Sequence, residues 1–170
     1  GKAVTLKSAY AYRMPDPFEK SKQITRVVFA DKVIDAAALK EASDRDEAID
    51  TQLRGATRVD LNLEADGSVQ NVNLHADGYS GSQSGSGWYT LTLKHNDDKR
   101  IEGSFHTNDE ADQKIGHYYD LAFALDLPAA PAAGTALPPN GGDAGTAYIA
   151  CLACLKMGDI ALRPTLLSKN

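Results

Sequence analysis

Cysteine is nearly missing from this chain. Cys151 and Cys154 are the only two among 170 residues, and both lie near the end. A disulfide framework is therefore excluded for everything before them, and the fold has to be held by its core. Long apolar runs are missing too, since no stretch approaches the roughly 18 apolar residues of a membrane-spanning helix. Clustered positive charge is equally scarce. Eighteen Lys and Arg are outweighed by 23 Asp and Glu, for a net charge of −5, and no run of them is longer than Lys99-Arg100. That disfavours nucleic acid as a partner, because phosphate recognition needs a basic patch. What is present is ordinary for a globular chain: 42% hydrophobic and 24% charged residues, enough for one domain and a fragment of a second. The chain opens Gly1-Lys2 rather than with Met. The expectation is a mature form or a fragment, with any export signal removed.

The strongest pattern runs from Trp88 to Leu127. Tyr89, Leu91 and Leu93 alternate with Thr90, Thr92 and Lys94. After Asn96-Asp97-Asp98, Ile101, Gly103 and Phe105 alternate with Glu102, Ser104 and His106. Further on, Tyr119, Leu121, Phe123, Leu125 and Leu127 alternate with Tyr118, Asp120, Ala122, Ala124 and Asp126. Period two over this length predicts three strands, each with one buried face. A three-residue loop at Asn96–Asp98 would pair Leu93 with Ile101, Leu91 with Gly103 and Tyr89 with Phe105.

Earlier in the chain, Val4, Leu6, Tyr10 and Tyr12 predict a first strand over 3–12, ended by Met14-Pro15-Asp16-Pro17-Phe18. Gln23 to Ala30 reads as a second strand, and Val27-Val28-Phe29 points to burial on both faces. Asp35 is placed to cap a helix through the amides of Ala37 or Ala38. Leu39, Ala42, Ile49 and Leu53 extend that helix over 36–53, whole or split at Ser43-Asp44, with Gly55 as the stop. In 57–75, Asp66-Gly67 reads as a two-residue type I′ turn. It sets Leu61 opposite Val72, Val59 opposite Leu74 and Leu63 opposite Gln70, with Asp60, Asn62, Asn71 and Asn73 on a wet face. The stretch 77–87, Asp-Gly-Tyr-Ser-Gly-Ser-Gln-Ser-Gly-Ser-Gly, reads as a loop whose apolar anchor is Tyr79.

Together these give a mainly β, α+β domain over 1–128: an antiparallel β-sandwich or strongly curved sheet with one packed helix. A Pro/Ala/Gly linker over 129–145 and a helical tail over 146–170 follow.

Two resemblances add to this. Tyr148-Ile149-Ala150-Cys151-Leu152-Ala153-Cys154-Leu155-Lys156-Met157-Gly158-Asp159-Ile160-Ala161 resembles the opening helix of NTF2-like α+β domains, which implies that 146–167 begins a second domain; a tail helix docked on the β domain is the alternative. Residues 1–128, through Tyr10-Ala11-Tyr12-Arg13-Met14-Pro15-Asp16-Pro17-Phe18 and Gly116-His117-Tyr118-Tyr119-Asp120-Leu121-Ala122-Phe123, are similar to uncharacterised secreted domains of Gram-negative bacteria. That resemblance implies the periplasm or cell envelope, a setting that includes immunity proteins.

Catalytic and metal chemistry find little footing. His75, His95, His106 and His117 show no short ligand spacing, so independent surface histidines are the plainer reading than zinc. Asn96-Asp97-Asp98 and Asn108-Asp109-Glu110-Ala111-Asp112 are oxygen-rich, but lack the calcium-loop pattern. Cys151-x-x-Cys154 has no strand before it to make a redox motif. Ser, His and Asp are present without a nucleophile elbow. No cofactor is implied. Binding is better served: Tyr79 and Trp88, with Ser82 and Gln83 between them, have a paratope-like composition of rigid aromatics and adaptable polar groups. The expectation is a non-catalytic protein-binding module, an immunity or inhibitor protein acting on a toxin. A carbohydrate- or surface-binding accessory domain and the front part of an NTF2-like protein are the alternatives.

Overall fold

The structure, a computed structural model, describes residues 3–108 and 116–129. They fall in a compact unit spanning Gly1–Ala130. The calcium-loop candidate at 108–112 lies almost wholly outside the described residues. The linker, the Cys151/Cys154 pair and the NTF2-like segment lie wholly outside them.

The fold is an antiparallel β-sandwich with two short helices. Sheet A takes β1 (Ser8–Pro15), β2 (Gln23–Ala30), β3 (Arg58–Leu63), β4 (Val69–Ala76) and β5 (Tyr79–Gln83) in that spatial order. Sheet B takes β6 (Tyr89–Asn96), β7 (Arg100–Thr107) and β8 (Asp120–Asp126), also in order. Helices α1 (Ala36–Glu41) and α2 (Arg45–Gln52) connect β2 to β3. Neighbours within each sheet are consecutive and antiparallel, so no crossover is needed; β3–β4, β4–β5 and β6–β7 close by short turns, while the helices span β2 to β3.

Alternation decides the layers. The odd-numbered residues of β2 and β3 (Val27, Phe29, Val59, Leu61, Leu63), with Val72 from β4, face sheet B. They meet Ile101, Phe105, Leu121 and Phe123 in one core. Phe29 and Phe123 touch edge to face at 5.8 Å between ring centroids, the geometry aromatic quadrupoles prefer. The opposite residues of β1 and β2 (Tyr10, Tyr12, Val28 and Ala30) form a second core with Leu39, Ile49 and Leu53 from the helical segment. Val27, Val28 and Phe29 are all buried, as expected of a strand covered on both faces.

Several expectations need correction. The first strand begins at Ser8 and runs on to Pro15, because it follows β2 in register from Ser8↔Ala30 to Pro15↔Gln23. Pro15 is tolerated at the strand's last position, where a missing N–H disrupts no further pairing. Of the two readings of the helical stretch, the split one holds: Ala42 is extended, Asp44 accepts from the Glu47 amide to start α2, and Asp35 caps α1 through Ala38 as expected.

The β3–β4 turn closes one residue wider than a two-residue loop. Gly67 N–H donates to Glu64 O, and Glu64 N–H to Ser68 O. Gly67 sits at φ +86°, as the last position of a three-residue hairpin loop demands. A bulge beside Gln70 then absorbs the extra residue: Leu63 faces Val69, while Leu61↔Val72 and Val59↔Leu74 stand as expected. The β6–β7 hairpin is offset by two residues, with Leu93↔Gly103 and Leu91↔Phe105. The Asp97 carboxylate accepts from the Lys99 and Arg100 amides and so moves the turn forward. A slip of two keeps every side chain on its face. Gly103 is required here, since a β-carbon would run into the Thr92 carbonyl oxygen and stand 3.0 Å from Leu93 Cδ2. Finally, the stretch 77–87 is not all loop. Ala76↔Tyr79 closes a two-residue turn and β5 pairs with β4 as far as Val72↔Gln83.

Candidate functional site

The helices pack their apolar residues on β1 and β2 and reach β3 through Asp50, leaving the outer face of β4 and β5 accessible. The outer face of β3, β4 and β5 is polar. Expected to be wet, it is instead packed at its base: Asp60 and Asn62 are each 1% exposed and Arg58 is 9%. All six residues of β3 are buried, although they read Arg-Val-Asp-Leu-Asn-Leu.

Two polar rows explain this. In the first, Asp46 on α2 accepts from the Tyr12 hydroxyl and from Arg26 Nη1 at 2.6 Å. Arg26 Nε donates to Asn62 Oδ1 at 2.8 Å, and Asn62 Nδ2 to Asn71 Oδ1 at 2.5 Å. In the second, Arg58 Nη1 donates to Asp50 at 2.6 Å, and its Nε and Nη2 donate to Asp60 Oδ2 at 3.1 and 2.8 Å. His75 Nε2 stands 3.7 Å from that same oxygen, and Ser80 Oγ lies 3.3 Å from His75 Nδ1. Asp46 and Asp50 are four apart on α2, so they share a helix face and each meets one arginine. The rows thus start at α2 and run toward the sheet's edge.

Burial pushes the Asp60 carboxyl above its ordinary range, against the pull of Arg58, Arg26 and His75. Oδ1 of Asp60 has no hydrogen-bond partner among the described residues. Burial likewise raises the Tyr12 hydroxyl, against Arg26. Arg26, Arg58, Asp46, Asp50 and Asp60, all ionised, sum to one negative charge.

Above this base lies an accessible floor: Asn71, Asn73 and His75 are half-buried, Ser80 and Ser82 exposed. In register, Ser82 faces Asn73 and Ser80 faces His75. The order Ser80, His75, Asp60 has the residue types of a nucleophile and its bases. However, 3.7 Å exceeds hydrogen-bond reach, and the Asp60 oxygen nearest His75 already takes two bonds from Arg58. The arrangement presents hydrogen-bonding groups at fixed spacing on a flat surface. A cleft of about 400 Å³ lies elsewhere, lined by Arg13, Thr25, Asn96 and Asp98 among others. An Arg13–Asp98 ion pair of 2.7 Å is made there. No group of three His, Cys, Asp or Glu able to hold a metal occurs among the described residues.

Tyr79, Ser82 and Gln83 all belong to β5, but alternation separates them: Ser82 stands on the floor beside Asn73, whereas Tyr79 and Gln83 share the opposite face with Val72 and Leu74. Tyr79 is 45% exposed, its ring 5.0 Å from that of His117. The Gln83 side chain accepts from the Tyr119 hydroxyl at 3.2 Å. Trp88 is apart from them, 9% exposed, with its Nε1 donating to Gly85 O at 3.1 Å and its ring against Tyr89 and Phe105. It anchors the β5–β6 connection from inside the core. Sequence reasoning missed Arg26, Arg58, Asp60, His75 and Ser80. The available signal was the Asp46/Asp50 spacing on a helix whose sheet-facing positions are short of apolar residues.

Comparison with protein-family models, with curated proteins and with solved structures returned no match.

Proposed function

We propose that this domain is a non-catalytic protein-binding module of the Gram-negative cell envelope, an immunity or inhibitor protein whose docking surface is the polar floor of β4 and β5. The observation that carries this reading is the outer face of β4 and β5, left uncovered by the helices. Asn71, Asn73, His75, Ser80 and Ser82 are presented there on a base fixed by the buried Arg58–Asp60 ion pair and the Asn62–Asn71 amide bond. Preorganised side chains lose little entropy when a partner binds. The net charge of −5 favours a basic partner, as a secreted toxin with a cationic face would be, and speeds its encounter. The envelope setting rests on the resemblance of residues 1–128 to secreted domains.

The test is affinity capture from the source bacterium, followed by reconstitution with the purified captured protein. Asn71→Arg with Asn73→Arg is the disrupting variant, and Thr92→Arg on the outer face of sheet B is the control. A stoichiometric partner that binds wild type and control but not the disrupting variant, at equal melting temperatures, supports the reading. Binding unaffected by the floor substitutions removes it. The same rows of amides and hydroxyls suit sugar hydroxyls. Glycan binding lost in Asn71→Arg with Asn73→Arg would replace the protein partner with a carbohydrate.

A further inference from the structure

Edge strands invite pairing with other chains, and proteins usually guard them with charge, proline or bulges. Three of the sandwich's edges carry such devices. β1 has Arg13 and ends in Pro15. β6 carries Lys94 at a register break between Leu93 and His95. β8 begins and ends on aspartate, Asp120 and Asp126. β5 has none: Tyr79-Ser80-Gly81-Ser82-Gln83 is uncharged, without proline and in unbroken register with β4. Among the described residues, the backbones of Tyr79, Ser80, Gly81 and Ser82 bond only to β4. Their second row of N–H and C=O groups faces outward.

We infer that this edge pairs with β5 of a second copy of the chain, antiparallel about Gly81, joining the two five-stranded sheets into one. The occupant follows from symmetry and charge. With Gly81 on a two-fold axis, Ser80 stands opposite the partner's Ser82, and Ser82 opposite the partner's Ser80. Small hydroxyl pairs favour such an arrangement. Each copy carries −5, so two copies approach most easily through a strand without ionisable side chains other than the Tyr79 phenol. The axis stands perpendicular to the sheet, which puts both polar floors on the same side. The dimer would then present one doubled, continuous floor, a two-fold version of the surface proposed above. Pairing uses the backbone in the plane of the sheet, whereas the floor uses side chains above it, so either reading can fail alone.

The experiment is sedimentation velocity on the full chain from micromolar to millimolar concentration, with hydrogen exchange of residues 79–83 at both extremes. The wild type should show a monomer–dimer equilibrium, with β5 amides gaining protection as the dimer fills. Ser80→Lys with Ser82→Lys sets four lysines face to face and should weaken the dimer at least about tenfold, whereas Asn71→Arg with Asn73→Arg should leave it intact. A chain that is monomeric throughout overturns the inference. So does a dimer whose β5 amides stay unprotected. Should the lysine variant fail to fold, the exchange measurement on wild type decides alone.

Discussion

The two faces of β3 carry nearly equal burial by opposite means. Val59, Leu61 and Leu63 meet sheet B in an apolar core. Arg58, Asp60 and Asn62, on the other side of the same six residues, meet α2 and β4 through ion pairs and amide bonds. An apolar face tolerates replacement by volume, because its attraction has no direction. The ionic face does not, since each buried polar group depends on one particular partner. A strand that alternates polar and apolar residues is therefore not always half wet; what covers each face depends on what the rest of the chain can offer it.

Substitutions can break that comparison. The largest effect is expected on the apolar side: Phe105→Ala, from a fully buried position, should cost about 4 kcal/mol in denaturant unfolding. Arg58→Ala should cost about 3 kcal/mol, by leaving Asp60 buried without its counter-charge. The loss should shrink as pH falls, because the stranded carboxylate takes up a proton more readily folded than unfolded. Replacing both partners, Arg58→Met with Asp60→Leu, should return to within about 1 kcal/mol of wild type. If the double variant is as unstable as Arg58→Ala alone, the ionic face is not interchangeable with an apolar one.

A third measurement concerns alkaline pH. Burial, with a smaller push from Tyr79, raises the Tyr119 hydroxyl to about 12. The stability tied to its neutral form is whole below the unfolded value near 10 and is lost as pH rises from there through about 12. The loss is at most about 2.7 kcal/mol, cut to about 2 by the solvent screening that remains at the hydroxyl, and Tyr119→Phe should remove that part of the alkaline slope. The smallest effect is Asp44→Ala, about 1 kcal/mol from the lost cap on α2, read as a shift in denaturation midpoint without a change in slope.

Much of the fold was legible because side-chain phase survives errors of register. Leu91, Phe105 and Phe123 face inward whether the hairpin closes at Asn96 or two residues later. The Leu61↔Val72 and Val59↔Leu74 pairs came out right because the wider turn and the bulge at Gln70 offset one another. What was not legible depended on distant partners. Nothing near Asp60 announces Arg58's link to Asp50, and nothing near Tyr79 announces that β4 extends far enough to make residues 79–83 a strand. Of the floor, Ser82 was found from composition, while Tyr79 and Gln83 belong to the opposite face of β5. The floor itself emerges only once α2 is seen to stop short of it.

Helix α2 has one further consequence. Apart from Ile49 and the Leu53 that ends it, few apolar contacts hold it. Among its other attachments are the Asp46 and Asp50 carboxylates, 39% and 69% exposed, on Arg26 and Arg58. Counter-ions reach such half-exposed groups and weaken them, whereas the apolar sandwich is indifferent to dilute salt. Ionic strength thus acts as a selective solvent for one layer of the molecule. Between low and high salt, amide exchange should quicken in α2 while the strands of sheet B keep their protection.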